Sequence, residues 1–179
     1  MKALSAGLLA LMMSLSWGQA SPSQDALTVR LKEQADFWFE KGDFPRAIAA
    51  LSVLFNLNPH GYEEATDLGW MLENVQRLDE ALAVYVRYTR ENPDDPDRGL
   101  PEADFYFRQK LYSRVPALLE TGVATKRAHP NSYRVLAHAY DRMGRFRDSL
   151  RIWELLVADH PEDAAAKVNR DRVAKKVVG

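Results

Sequence analysis

The chain carries a pattern that returns every 34 residues. Ala47, Ala81, Val115 and Ser149 are each 34 positions apart. Ala35, Gly69, Ala103 and Ala137 form a second column, all small. Trp38, Leu72, Tyr106 and Tyr140 form a large one, as do Leu51, Tyr85, Leu119 and Trp153, and Phe44, Leu78, Tyr112 and Phe146. A fixed period of this length marks a stack of helix pairs, each burying its apolar face on the next. The expected fold is therefore all-α, an α-α superhelix.

The columns have physical reasons. A small residue lets two helices approach closely, and a large one fills the gap between successive pairs. Gly42 and Gly144 sit where a first helix must end, a place that favours a left-handed residue. Pro59, Pro93 and Pro161 close their repeats because proline cannot continue a helix. Pro45 and Pro116 fall in the first turn of a second helix, where no N–H is needed. Helical spacing runs through "AIAALSVLF" and "ALAVYVRY", and no stretch alternates as an exposed strand does.

These columns resemble the tetratricopeptide repeat family, whose pattern places W, L, G, Y, A, F, A and P at fixed offsets. The repeats frame as 28–61, 62–95, 96–129 and 130–163 within a domain spanning 21–163. Repeat two supplies Leu68, Gly69, Ala81, Tyr85 and Pro93. Repeat four supplies Leu136, Ala137, Tyr140, Gly144, Phe146, Trp153 and Pro161. Repeat three departs most, with Arg127 in place of the closing proline, Gly122 late in its second helix and Pro101 inside the expected first helix. "ENPDDPDRGLP" reads as an exposed connection that delays that helix.

Each end has its own character. Met1 and Lys2 precede the uncharged run "ALSAGLLALMMSLSW" and then "GQA". This is the order of a cleaved bacterial export signal, residues 1–20, with cleavage after Ala20. The run is shorter than the ~20 apolar residues of a membrane anchor, and no other segment can span. Residues 164–179 read as a single capping helix with Val168, Val173 and Val177 as a thin apolar stripe. Its lysines and arginines also leave a basic tail open as a reading.

Little in the sequence suggests chemistry. The net charge of −1 gives no reason to expect nucleic acid as a partner. No cysteine is present, which removes disulfides and thiolate catalysis. His60, His129 and His160 adjoin prolines, where a histidine can cap a helix C-terminus. No histidine pair has zinc spacing, "DDPD" at 94–97 lacks the ligand spacing of a calcium loop, and no nucleophile motif or phosphate loop occurs. Neither a cofactor, a metal nor an enzymatic activity is expected.

The resemblance implies where a partner would sit. First helices of such arrays line a concave face, and positions 2, 5, 9, 12 and 13 of each repeat point into it. Those positions hold Val29, Lys32, Asp36, Phe39 and Glu40, then Glu63, Thr66, Trp70, Glu73 and Asn74. Repeat three contributes Asp104, Phe107 and Arg108, and repeat four Asn131, Arg134, His138, Asp141 and Arg142. Phe39, Trp70 and Phe107 are either binding anchors or packing against neighbouring first helices. Residues 63–104 hold twelve acids against four arginines, whereas Arg108, Arg134 and Arg142 offer positive charge further on. The carboxylate-clamping groove known in this family does not fit, since Asp36 and Asp67 stand where it needs asparagine.

Two functions compete. One is an exported scaffold that binds a peptide segment or partner protein in the cell envelope. The other is an accessory subunit that docks by its outer face into a larger assembly. Exposed groove aromatics would favour the first, and a broad apolar patch on the convex side the second.

Overall fold

The computed structural model describes residues 22–178, so the proposed export signal lies outside the described residues. Among the described residues the chain forms nine α-helices, one short 3-10 turn at Tyr112–Arg114 and no strand. Four pairs follow in order: α1 (Pro22–Glu40) with α2 (Phe44–Leu57), α3 (Tyr62–Asn74) with α4 (Leu78–Glu91), α5 (Leu100–Arg108) with α6 (Val115–Ala124), and α7 (Pro130–Arg142) with α8 (Phe146–Asp159). A single helix, α9 (Ala164–Val178), ends the array. Consecutive helices pack on one another throughout.

Every pair turns in the same way. Gly42, Gln76, Lys110 and Gly144, spaced by one repeat, all have φ between 61° and 73°. The next residue's N–H then reaches back to a first-helix carbonyl: Asp43 to Trp38 at 2.8 Å, Arg77 to Leu72 at 2.9 Å, Leu111 to Tyr106 at 2.8 Å and Arg145 to Tyr140 at 2.9 Å. These bonds satisfy carbonyls that the helix end leaves open. Glycine adopts the turn freely at two sites, while Gln76 and Lys110 adopt it at a steric cost of about 1 kcal/mol each.

Small residues stand where helices cross. Ala47, Ala81, Val115, Ala103 and Ala137 are fully buried. Ser149 is buried too, and its hydroxyl donates to the Ala137 carbonyl at 2.8 Å, so the polar atom is satisfied. Gly69 lies against the Tyr85 ring, leaving no room for a β-carbon. Two apolar clusters result. One joins α1 to α4 through Leu51, Phe55, Leu68, Leu72 and Tyr85 and takes in Phe105. The other runs from Leu100 through Leu119, Leu136 and Trp153 to Val173 of α9.

Three expectations change. The connection before α5 does delay the helix, which starts at Leu100 with Pro101 in its first turn, but it is not simply exposed. Gly99, Leu100 and Pro101 are buried, the Pro96 carbonyl packs onto Gly122, and the Asp97 carboxylate accepts from the His129 N–H at 2.8 and 2.9 Å and from the Ser132 hydroxyl. Gly122 is thus required by close backbone approach. Val168 is 68% exposed and does not belong to the apolar face of α9, which is Ala166 and Val173. His129 caps the N-terminus of α7, its Nδ1 accepting from the Asn131 N–H at 3.2 Å, whereas His160 ends α8.

Candidate interaction groove

The face formed by α1, α3, α5 and α7 is built as a ladder. Position 12 of one repeat meets positions 9 and 13 of the next, separations of 31 and 35 residues. Those separations are one repeat less three residues and one repeat plus one, so the two partner positions are four residues, about one turn, apart on one side of the next first helix and flank position 12.

At the front the rung is aromatic. Phe39 of α1 and Trp70 of α3 lie with ring centroids 5.9 Å apart and planes tilted by 57°. They are 42% and 50% exposed, so about half of each residue remains accessible. Between them opens a cleft of about 190 Å³, walled by Asp36, Phe39, Asp67 and Trp70 over Ala35, Leu51 and Met71. Lys32 donates to Glu63 at 2.9 Å across the same two helices. Val29 and Glu40 are exposed, Thr66 bonds back to its own helix, and Asn74 donates to the Trp70 carbonyl at 2.8 Å.

In the middle the rung is ionic. Glu73 accepts from the Tyr85 hydroxyl at 2.8 Å and from both Arg108 Nε and a terminal guanidinium nitrogen, at 3.1 and 2.6 Å. Burial pushes the Tyr85 hydroxyl well up, and its bond to Glu73 adds to the shift. Asp104, one turn before Arg108, is also raised by burial, with Arg108 pulling it down and Glu73 pushing it up. A second cleft of about 310 Å³ lies beside Trp70, bounded by Glu73, Gln76, Arg108 and Gln109. Phe107 does not join Phe39 and Trp70 as an exposed ring. It is half-buried, edge-on to Tyr112 at 5.1 Å.

At the back the rung is closed by the cap. Asp141 of α7 accepts from Arg172 at 2.8 Å and Lys176 at 2.6 Å, both on α9. Burial alone would raise this carboxyl, but Lys176 and Arg172 outweigh it and hold it below the usual range. His138 lies edge-on to Trp153 at 5.0 Å, and burial followed by the Arg172 charge lowers its pKa. Arg134 pairs with Asp163 and with Asn131. The positive charge expected from Arg108 and Arg134 is therefore consumed within the molecule, and Arg142 alone of the three has no ion pair among the described residues. Sequence reasoning missed Met71, Arg172 and Lys176, and it named Asp67 only as a mismatch to the carboxylate-clamping groove. The structure puts Asp67 in the cleft wall. Opposite charges 31 or 35 residues apart were the signal that could have found Arg172 and Lys176.

The pattern that describes the tetratricopeptide repeat matches residues 32–96 and 134–170, more than half of the chain. This chain belongs to the tetratricopeptide repeat family. The unmatched stretch between the two segments holds the short α5, Gly122 and Arg127, the departures that distinguish repeat three. Comparison with curated protein sequences gives no match. Among solved structures, a crystal structure of the MamA protein is 18% identical and covers 86% of this chain and 89% of its own, with a TM-score of 0.60. MamA from Desulfovibrio magneticus RS-1, residues 41 to the end, is 17% identical and covers 85% and 92%, with a TM-score of 0.59. At such identity the likeness is one of fold. Tetratricopeptide repeat proteins are protein-interaction scaffolds, and their first-helix face is where this chain displays its exposed aromatic pair. No described helix is long and apolar enough to cross a membrane, and no group of described side chains is arranged to hold a metal ion.

Proposed function

We propose that this chain is an exported, non-catalytic scaffold that holds a peptide segment or a partner protein in the bacterial cell envelope, and that it does so at the α1–α3 end of its first-helix face. The observation that carries the binding site is the Phe39–Trp70 pair, two large rings left accessible above an open cleft. A solvated aromatic pair costs free energy in the unbound protein and repays it when a partner covers it, which is why such rings dominate interfaces. Export is supported by the charge, apolar length and small residues of positions 1–20. Mass spectrometry of the protein from its own cells should find Ser21 at the amino terminus, and an uncleaved chain would remove that part of the proposal.

The binding site is tested by panning a random peptide library on the protein and on Trp70→Ala. Enrichment of peptides with an apolar anchor on the parent, lost on a folded Trp70→Ala, is the expected outcome. Equal enrichment on both would remove Trp70 from the site. A second reading, docking by the outer face, draws on Val53 and Leu57 of α2 and Val86 of α4, each more than two-fifths exposed. It predicts the reverse: partner capture that survives Trp70→Ala and fails in Val86→Glu.

A further inference from the structure

The α1–α3 cleft carries charge as well as rings. Asp36 and Asp67 stand in its opposite walls, and among the described residues neither carboxylate takes part in a hydrogen bond or ion pair. Glu73 and Asp141, one and three repeats on from Phe39, are instead held by two-point basic contacts. The cation nearest the cleft, Lys32, is engaged by Glu63. Burial raises Asp67, and Lys32 offsets this only in part against Glu63, Asp36 and Glu64, which all push it further up. Negative charge at the cleft is thus undercompensated.

The cleft is also shaped for a particular kind of group. Its floor of Ala35, Leu51 and Met71 is apolar and accepts methylenes. Its sides include the Phe39 and Trp70 rings, tilted by 57° to each other, and a cation placed over the face of either is attracted by that ring's quadrupole. Its volume of about 190 Å³ is below the ~300–1,000 Å³ of a site for a whole small molecule and suits one long side chain. A carboxylate would be repelled by Asp36 and Asp67, and a purely apolar side chain would bury them without a partner.

We infer that the α1–α3 cleft is a subsite for one lysine or arginine side chain of the bound segment, its stem on Leu51 and Met71 and its charged head between Phe39, Trp70 and the carboxylates of Asp36 and Asp67. This rests on the scaffold reading above and adds the chemistry of the ligand to it. The stem is desolvated on the floor while the head keeps carboxylate partners at the mouth, so the cation loses little solvation on entry.

The test uses peptides enriched by the panning described above, remade with citrulline for arginine or norleucine for lysine, and titrated calorimetrically onto the protein. Basic residues should be enriched beside an apolar one. The neutral replacement should weaken binding by about tenfold. In Asp36→Asn/Asp67→Asn the same replacement should weaken binding by only about threefold, clearly less than in the parent, because the Phe39 and Trp70 rings alone remain to favour the charge it removes. The peptide replacement needs no altered protein, so the outcome does not depend on that variant folding. Enriched peptides without basic residues, or equal binding of the charged and neutral forms to the parent, would overturn the subsite and leave the scaffold reading standing. Failure of the parent to enrich any peptide would remove both.

Discussion

Trp70 and His138 occupy the same repeat position on α3 and α7, and their surroundings differ. Trp70 is half exposed and forms the wall between two clefts, whereas His138 is folded down against Trp153. The same holds one turn on. Phe39 faces an aromatic neighbour and solvent, but Asp141 is clasped by Arg172 and Lys176. The two halves share a core design and differ on the face. At the front, adjacent first helices offer each other rings and unpaired acids. At the back, α9 supplies complementary charge and closes the rung. A repeat position thus sets which way a side chain points, and the neighbouring repeat decides whether that side chain is free to bind.

The largest expected effect concerns what the halves share. Ala81→Trp and Ala137→Trp each place a large ring at a fully buried crossing. Each should cost about 3 kcal/mol or more, lowering the thermal midpoint by roughly 6–12 °C. A midpoint within a few degrees of the parent for either one would break the claim of a common core.

The next effect separates the halves electrostatically. Asp141→Asn leaves Arg172 and Lys176 facing an amide, at a cost of about 1–2 kcal/mol at neutral pH after allowing for the partial exposure of both cations. The folded carboxyl is held below its unfolded value, so its stabilisation is complete above the ordinary carboxylate range, around pH 4, and disappears as pH falls through the lower folded value. Urea midpoints of parent and variant should therefore differ at pH 7 and converge in acid. Asp67 has the opposite sign: burial raises it, ionisation opposes folding above its folded pKa, and Asp67→Asn should be neutral or slightly stabilising at pH 7. A loss for Asp67→Asn as large as that for Asp141→Asn would erase the contrast.

The smallest effect bears on the rings. Trp70→Ala should cost less than about 1 kcal/mol, as for a surface residue, and His138→Ala about 1–2 kcal/mol because it uncovers the edge of the buried Trp153. Calorimetric unfolding of both variants decides it. A cost of about 3–5 kcal/mol for Trp70→Ala would make that ring a packing residue and not an anchor.

Much of this fold was legible because burial is periodic. Ala35, Ala47, Leu51, Ala81, Tyr85 and Trp153 each recur at a fixed interval, and each is buried. Repeat three was legible only as a departure. That Gly122 is demanded by the Pro96 carbonyl, and that Asp97 binds the start of α7, depends on contacts between segments about 26 and 32 residues apart, which no local pattern records. The candidate groove was legible in direction but not in occupancy. Phe107 was indistinguishable by position from Phe39, yet Tyr112 covers it, and Arg108 and Arg134 were free charges until Glu73 and Asp163 were placed beside them.

The sequence by itself determined the class of fold, the number of helix pairs and the face that each first helix presents, because side-chain direction on a helix and the spacing of apolar residues are fixed along the chain. Only the tertiary structure decided which of the presented side chains remain unpaired. Pairing depends on distances of a few ångströms between residues one repeat apart, and these are set by how each helix pair stacks on the last. That stacking leaves Phe39, Trp70, Asp36 and Asp67 open at one end and closes Asp141 and His138 under α9 and Trp153 at the other.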